Sequence, residues 1–236
     1  MVCLHDAGGN GNDFAELLDE LAIDQSPLSF DMPGHGRSAG LDSLGSVPAM
    51  AAHTRALLEG FGLTGVILVG EGLGGAVALE TAMLDADSAA GTSLVAGVVL
   101  IGQVATVFDV SREIESLSAI TAGRARREFD RTGYAPETDR AVYGKAFGEW
   151  VKTDPRATLG DRRGQADWSV GERRLAVPAM VVVGEHQDVD ETETANALAA
   201  ALGSVAVTLE AAGRHGVIEQ PVALAALIGT FIGGLV

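Results

Sequence analysis

The stretch from residue 66 to residue 80, VILVGEGLGGAVALE, constrains the fold of this chain more than any other. Its first four residues are apolar and are followed by glycine, which is typical of a fully buried strand. Four glycines between positions 70 and 75 then predict a sharp turn, and an apolar helix follows. A buried strand that leads through so tight a turn into a helix indicates an α/β protein.

Short apolar strands alternate with amphipathic helices along the chain, which predicts a doubly wound, mostly parallel sheet with helices on both faces. Strands are predicted at 1–4, 27–30, 66–69, 97–101, 178–183 and 205–209, and helices at 13–23, 47–61, from 75 into the 80s, 192–202 and 221–232. Such sheets bind ligands beyond the carboxyl ends of their strands, so the loops at that edge should converge on one site. These loops follow Leu4, Val69, Ile101, Val183 and Leu209.

The basic residues are concentrated between positions 104 and 176. This segment contains 13 of the 16 Lys and Arg but only 12 of the 32 Asp and Glu, so it carries a net charge of +1 and the rest of the chain carries −17. The change in composition predicts a helical lid at 104–176, inserted into an α/β core formed by residues 1–103 and 177–236. The acidic core argues against nucleic-acid binding, which requires Lys and Arg to neutralise phosphates.

The overall composition, 47% hydrophobic and 20% charged, is typical of a soluble globular protein. No apolar run is long enough to span a membrane, and the first residues lack a signal-peptide pattern, so we expect a cytoplasmic protein without membrane contact. The lone Cys3 excludes an internal disulfide and is expected in the core. Nothing in the sequence indicates a metal, a nucleotide or another cofactor.

Five segments together resemble the α/β-hydrolase superfamily, in particular its compact, lid-bearing members, across essentially the whole chain. They are HDAGGN at 5–10, DMPGHGRS at 31–38, VGEGLGGAVALE at 69–80, VPAMVVVGE at 177–185 and GRHGVIEQP at 213–221. They are similar to that family's oxyanion loop, a structural turn, the nucleophile elbow, the strand before the catalytic acid and the histidine loop. The resemblance implies the α/β-hydrolase fold, and it makes His35 and Ser38 residues of a structural turn.

The resemblance assigns the nucleophile position to a glycine. The elbow motif G-x-S-x-G reads GEGLG at 70–74, so Gly72 stands where the family has its serine. The backbone amides of Leu73, directly after the elbow position, and of Ala7 in the first loop match the oxyanion donors. Asp6 replaces the usual glycine of that first loop.

The resemblance identifies His215, in the GRHGVIEQP segment, as the catalytic histidine. The family places its acid three residues after the glycine of G-E-x-D, and this chain has Gln187 there. Asp188, the next residue, is therefore predicted to orient the imidazole. Asp109, after the preceding strand, is the alternative.

The predicted lid contains most of the aromatic side chains, which suits an apolar or aromatic small-molecule substrate but equally suits packing of the lid onto the sheet. These residues are Phe108, Phe129, Tyr134, Tyr143, Phe147, Trp150 and Trp168. Substrate contacts are expected from Trp150 and, outside the lid, from His5, Glu71 and His186.

A glycine at the elbow has no atom that can form an acyl-enzyme, and three hypotheses follow. The first is an enzyme that acts on a small, largely apolar carbonyl compound such as an ester or lactone, with His215 as general base and a backbone oxyanion hole. Its chemistry would be non-covalent hydrolysis, lyase or cyclisation chemistry, with water or substrate in the space above Gly72. The second is a ligand-binding protein without turnover. The third is a serine esterase inactivated at Gly72, in which Gly72→Ser should restore ester cleavage.

Overall fold

The computed structural model describes residues 1–40, 42–87, 93–102, 110–171 and 173–235. Its strands are β1 (Val2–Leu4), β2 (Leu28–Ser29), β3 (Val66–Glu71), β4 (Val95–Ile101), β5 (Ala179–Gly184) and β6 (Ala206–Leu209). Within the described ranges they form one sheet in the order β2-β1-β3-β4-β5-β6, and all neighbouring strands are parallel. The predicted parallel α/β architecture is thus confirmed.

The helices pack against both faces of this sheet. They are α1 (Ala15–Leu21), α2 (Val47–Gly60), α3 (Leu73–Ala86), α4 (Ser111–Thr121), α5 (Arg140–Trp150), α6 (Pro155–Ala166), α7 (Val189–Ala201), α8 (Gly216–Glu219) and α9 (Pro221–Gly233). One apolar core joins the sheet to α2, α3 and α7, and a second joins it to α1, α8 and α9. We refer to the segment between β4 and β5 that carries α4, α5 and α6, residues 110–171, as the helical insertion.

The first strand shows why both faces are covered. Val2 and Leu4 point into the core on the α2 and α3 side, whereas Cys3 points into the core on the α1 and α9 side. Such alternation follows from the two-residue repeat of a strand. Cys3 is fully buried, as expected, and this burial raises the pKa of its thiol to about 12, so the residue is an inert part of the core.

The order of the strands determines where a site can form. β1 lies between β2 and β3, so the direction of winding reverses between β1 and β3, and ligands of α/β sheets bind at such a reversal. Leu4, the last residue of β1, pairs with Gly70 near the end of β3. In the turn that follows, a Cβ on Gly74 would overlap the carbonyl of Leu4, so glycine is required for α3 to start this close to β1. The loop after β1 and the turn after β3 therefore lie side by side.

Helix α6 attaches the helical insertion to the core through a buried ion pair. His35 Nε2 lies 2.9 Å from Asp161 Oδ2, and Ser43 Oγ donates to Asp161 Oδ1 at 2.5 Å. Burial opposes the protonated form of His35, but the hydrogen bond and charge of Asp161 outweigh it and raise the pKa of the imidazole. His35 thus holds the insertion on the sheet, in agreement with a structural role for this turn.

Candidate functional site

Gly72 forms the turn between β3 and α3, with φ 53° and ψ −118°. Residues with a side chain rarely adopt this positive φ, whereas glycine does so at little cost. A Cβ built on Gly72 would overlap the carboxyl group of Asp6. The space in which an elbow hydroxyl would stand is therefore occupied by an aspartate from the preceding loop. The expectation that water or substrate fills this space is wrong for this arrangement of the site.

The carboxylate of Asp6 is bound by the start of one helix and by an arginine of another. Its Oδ1 accepts the N–H of Leu73, the first residue of α3, at 2.8 Å. Arg162 of α6 donates to both oxygens, from Nη1 to Oδ1 and from Nη2 to Oδ2, each at 3.0 Å. Helix N-termini attract anions, and arginine binds carboxylates with two parallel hydrogen bonds. Asp6 is thus an internal anion placed at the N-terminus of α3.

These contacts keep Asp6 ionised. Burial alone would raise its pKa, but the charge and hydrogen bonds of Arg162, with the amides of Leu73 and Ala7, hold it below the ordinary value. Arg162 is itself 8% exposed and carries a second carboxylate, Glu113, whose Oε2 lies 2.9 Å from its Nε. A positive charge from the helical insertion therefore compensates the aspartate at the elbow.

The two predicted oxyanion donors are brought together, but with an unexpected acceptor. The amide of Leu73 hydrogen-bonds the carboxylate of Asp6, and the amide of Ala7 helps to lower the pKa of the same carboxylate. No substrate oxygen can receive these hydrogen bonds while Asp6 is in place. The replacement of glycine by Asp6 in the first loop thus fills the oxyanion position with a side chain of the protein itself.

His215 lies directly before α8, and its ring faces the same cavity as Asp6. The imidazole packs on Tyr134 of the helical insertion, with 4.5 Å between the ring centroids. Among the described residues, no hydrogen bond or ion pair engages either ring nitrogen. Burial, with a smaller effect of the neighbouring Arg214, lowers the pKa of His215 to about 4. The ring is therefore neutral at pH 7 and can accept a proton.

The backbone of this histidine loop is held by Glu219. Its Oε2 accepts the amides of Gly213, at 3.0 Å, and of His215, at 3.2 Å. Its Oε1 accepts the amide of Ala135 and the hydroxyl of Thr138, at 2.7 and 2.6 Å. One carboxylate thus joins the histidine loop to the helical insertion and fixes where the imidazole stands.

The structure does not bring Asp188 to the imidazole. Asp188 is exposed and is the N-cap of α7, where its side chain accepts the amide of Glu191 at 2.8 Å. Gln187, at the family's acid position, accepts the amide of Gly184 at 2.8 Å instead. The alternative acid, Asp109, lies outside the described residues. In the described part of the chain, His215 has no carboxylate that orients it.

The other two predicted histidines lie away from the cavity. His5 is 3% exposed, and its Nε2 accepts the amide of Met32 at 3.1 Å, so its Nδ1 carries the proton and donates to the carbonyl of Asp6 at 2.8 Å. It supports the loop from beneath rather than contacting a ligand. His186 is exposed, with its Nε2 3.9 Å from Glu185, and it is not among the residues that line the cavity. Both expectations of substrate contact are corrected here.

Glu71 and Trp150, from which substrate contacts are expected, both line the cavity. Its volume is about 230 Å³, and the sheet loops and the helical insertion both contribute to its wall. Glu71 is buried, and its Oε1 accepts the amide of Val217 at 3.3 Å. Burial and the charges of Asp6 and Asp13 raise its pKa well above the ordinary value, which favours the protonated carboxyl.

Several cavity residues were not found from the sequence. They are Asp13, Arg127 and Arg162, and also Asp6, which was predicted as part of the loop but not as the group that fills the elbow space. For Asp6 a signal existed, because a charged residue in place of a loop glycine needs a compensating charge. Nothing in the sequence indicated which of the 13 basic residues between 104 and 176 would supply it.

The lowered pKa of His5 predicts how the stability of the protein depends on pH. Burial, together with the charge of His35, lowers its pKa to about 4, whereas the unfolded chain has an ordinary value near ~6.5. Between these values the unfolded state binds more protons, so stability falls as the pH falls. For this group the loss between pH 7 and pH 4.5 should be roughly 2–3 kcal/mol.

Urea unfolding of the wild type, His5→Gln and the exposed-site control His186→Gln at both pH values would measure this loss. His5→Gln should remove that part of the pH dependence, and His186→Gln should keep it. An equal pH dependence in all three proteins would contradict the assignment of His5 as a neutral buried histidine.

No helix in the described ranges is both long and apolar enough to cross a membrane. In the same ranges, no three His, Cys, Asp or Glu side chains are grouped so that they could hold a metal ion.

Solved structures with the same architecture include several esterases. A thermophilic esterase from Thermogutta terrifontis superposes with a TM-score of 0.83 at 22% identity, covering 99% of this chain and 89% of the esterase. An esterase from Exiguobacterium antarcticum superposes with a TM-score of 0.81 at 18% identity, covering 98% of this chain and 91% of that one. At such identities the similarity shows the fold alone.

Sequence comparisons give the family. The dihydrolipoyllysine-residue acetyltransferase component of an acetoin cleaving system from Pseudomonas putida is 32% identical over 96 residues, which are 41% of this chain and 26% of the relative. The match thus spans about a quarter of that curated relative's length. The sequence model of the Alpha/beta hydrolase family matches residues 1–227. Together with the sheet order and the elbow turn, this match shows that the chain belongs to the alpha/beta hydrolase family.

Proposed function

We propose that the protein is an enzyme that acts on a small carbonyl compound, such as an ester or lactone, with His215 as general base and no covalent intermediate. The observation that supports it is the state of the imidazole. The ring faces the cavity, and its pKa of about 4 leaves it neutral at pH 7. A neutral imidazole in a cavity can take a proton from water or from the substrate. Membership of a hydrolase family supports the same class of reaction.

Two carboxyl groups assist the proton transfers. The negative charge of Asp6 favours the protonated form of His215, so it stabilises the imidazolium that arises when the ring takes a proton. Glu71 lines the same cavity, and its raised pKa favours the protonated carboxyl, which can donate a proton to the leaving oxygen.

Hydrolysis then proceeds through attack by water, departure of the leaving oxygen and return of a proton. Water gives a proton to His215 while its oxygen bonds to the carbonyl carbon. The bond from that carbon to the leaving oxygen breaks, and the leaving oxygen takes the proton of Glu71. A proton returns from His215 to Glu71 through solvent, which restores the site.

Stabilisation of the oxyanion requires a movement of Asp6. The amides of Leu73 and Ala7 are the proposed donors, and both hold the aspartate in the resting site. A substrate oxygen receives their hydrogen bonds once the carboxylate turns away from the start of α3.

The occupied oxyanion position also favours a second candidate function, binding without turnover. A site whose strongest donors are satisfied by its own side chain can hold a ligand elsewhere in the cavity. Such a protein would retain the pocket of the family and bind a small molecule without altering it.

Replacement of one histidine separates the two candidates. His215→Gln should lower kcat/KM for p-nitrophenyl esters and simple lactones by roughly 100- to 10,000-fold, which is the usual contribution of a general base. His186→Gln, at an exposed position, should leave kcat/KM unchanged. The acid limb of the wild-type pH profile of kcat/KM should lie near pH 4, because the rate is lost when His215 is protonated.

Two results would overturn the catalytic proposal. One is a hydrolysis rate that His215→Gln leaves unchanged. The other is a wild type that binds esters or lactones by calorimetry without turning them over, which would establish the binding function instead.

A further inference from the structure

Arg127 contributes a positive charge to the wall of the cavity formed by the helical insertion. Its Nη1 donates to the carbonyl of Thr153 at 2.7 Å, and its Cζ lies 3.9 Å from the centroid of the Trp150 ring. Within the described residues, no carboxylate forms an ion pair with it. Burial lowers its pKa, and the only opposing influence is the charge of Asp154. The guanidinium therefore faces the cavity with part of its hydrogen-bonding edge unused.

Two acids are bound elsewhere: Asp154, whose charge acts on Arg127, and Asp130, three residues further along the chain. Asp154 accepts Arg156 Nη2 at 2.6 Å and Arg156 Nε at 3.1 Å. Asp130 accepts the amide of Thr132 at 2.9 Å and its hydroxyl at 3.0 Å. Arg162, in contrast, is paired with two acids, Asp6 and Glu113, which raise its pKa. Arg127 thus differs from Arg162 in having a charge that no contacting acid neutralises.

The opposite wall of the cavity, from the sheet loops, is acidic. Asp6 is ionised there, and Asp13, whose pKa is raised to about 6 chiefly by burial, is mostly ionised at pH 7. An anionic group of a ligand is repelled by this wall and attracted to Arg127. Beside Arg127, the helical insertion also contributes an aromatic surface formed by Phe129 and Trp150, with 5.6 Å between their ring centroids.

We infer that Arg127 binds the carboxylate of a small organic acid whose apolar or aromatic part packs against Phe129 and Trp150. The inference rests on the proposed function and narrows its substrate class to esters, lactones or related carbonyl compounds that also carry a free carboxylate. The carboxylate lies at the insertion wall, and the carbonyl group points toward His215 and the elbow. Arginine suits this task because its planar fork matches the two oxygens of a carboxylate.

Binding of matched acid and amide probes tests the inference directly. Benzoate and phenylacetate carry the charge, and benzamide and phenylacetamide have nearly the same shape without it. In calorimetry at low salt, Arg127→Gln should weaken the binding of both acids by about 10- to 100-fold, which is the range of a charge-assisted hydrogen-bonded pair. The same change should alter amide binding by less than about twofold, since packing on the rings is retained.

Two further variants distinguish binding from structural support. Arg126→Gln, at the exposed neighbouring position, should leave all four affinities unchanged. Arg127→Lys, which keeps the charge but not the fork, should recover part of the acid affinity. If Arg127 only held Thr153 and Trp150 in place, its replacement by Gln would weaken the binding of the acids and of the amides equally.

Three outcomes would overturn the inference. They are no detectable binding of either acid to the wild type at 10 mM probe (roughly the weakest useful range), equal binding of acid and amide, and acid binding that Arg127→Gln leaves unchanged. The proposed function has a separate test. His215→Gln should lower kcat/KM for ester hydrolysis but leave the affinities for both acids intact. Loss of acid selectivity with intact ester hydrolysis would reject the carboxylate site alone.

Discussion

Gly72→Ser on its own should destabilise the protein and give no gain in ester hydrolysis over the wild type. The new side chain must enter space that the carboxyl group of Asp6 occupies, at a φ of 53°. Overpacking and backbone strain each cost about 1–3 kcal/mol, so the free energy of unfolding should fall by roughly 2–4 kcal/mol. This differs from the sequence-based expectation that serine alone restores an esterase, because Asp6 and Gly72 are complementary.

The double variant Asp6→Gly/Gly72→Ser should behave differently. Removal of the carboxylate makes room for the serine and frees the amide of Leu73 for an oxyanion. Hydrolysis of p-nitrophenyl acetate should rise by roughly 100-fold or more above either single variant, a fraction of the ~million-fold effect of a complete triad. Urea unfolding and steady-state rates of all four proteins measure the coupling. A stable, active Gly72→Ser variant would show that Asp6 does not block the elbow.

Arg162→Met should cause the largest loss of stability at a single position. The change leaves Asp6 as a mostly buried carboxylate without its cation, and removal of one partner of a buried pair costs about 3–5 kcal/mol. Asp6→Asn/Arg162→Met removes both charges and should recover most of the loss. Arg163→Met, at the exposed next residue of α6, should stay within about 0.5 kcal/mol of the wild type.

The effect of Arg162→Met should also depend on pH. In the wild type the pKa of Asp6 lies below its ordinary value, so the ionised pair stabilises the fold above that value and is lost in acid. Without Arg162, burial raises the pKa of Asp6, and the penalty disappears as the carboxyl takes up a proton. The difference between variant and wild type in urea unfolding should therefore shrink from pH 7 to pH 4. A difference that stays constant would show that the loss comes from packing.

The parts of the fold that follow from local patterns could be predicted. The buried strand and glycine turn at 66–74 stand where the sequence places them, and so does the histidine loop before α8. These segments carry their signals within a few residues. The position of Asp6 depends on Arg162, which lies 156 residues away in the chain, so no local pattern indicates it.

Asp188 shows a different reason for error. The prediction gave it the role of an acid on the basis of its place after β5. The chain from Asp188 to Glu191 also has the pattern of a helix start, in which an aspartate accepts the amide of the third residue after it, and this is the contact it makes at 2.8 Å. Both interpretations were available from the residues, and capping is satisfied locally, whereas a catalytic contact needs the loop to extend further.

Two neighbouring residues of α6 hold two different parts of the core. Asp161 binds His35 beneath the sheet edge, and Arg162 binds Asp6 above the elbow, and both are almost completely shielded from solvent. Because Asp161 and Arg162 are adjacent on one helix, α6 cannot move away from His35 and keep its contact with Asp6. A movement of α6 that separates Arg162 from Asp6 would therefore also separate Asp161 from His35.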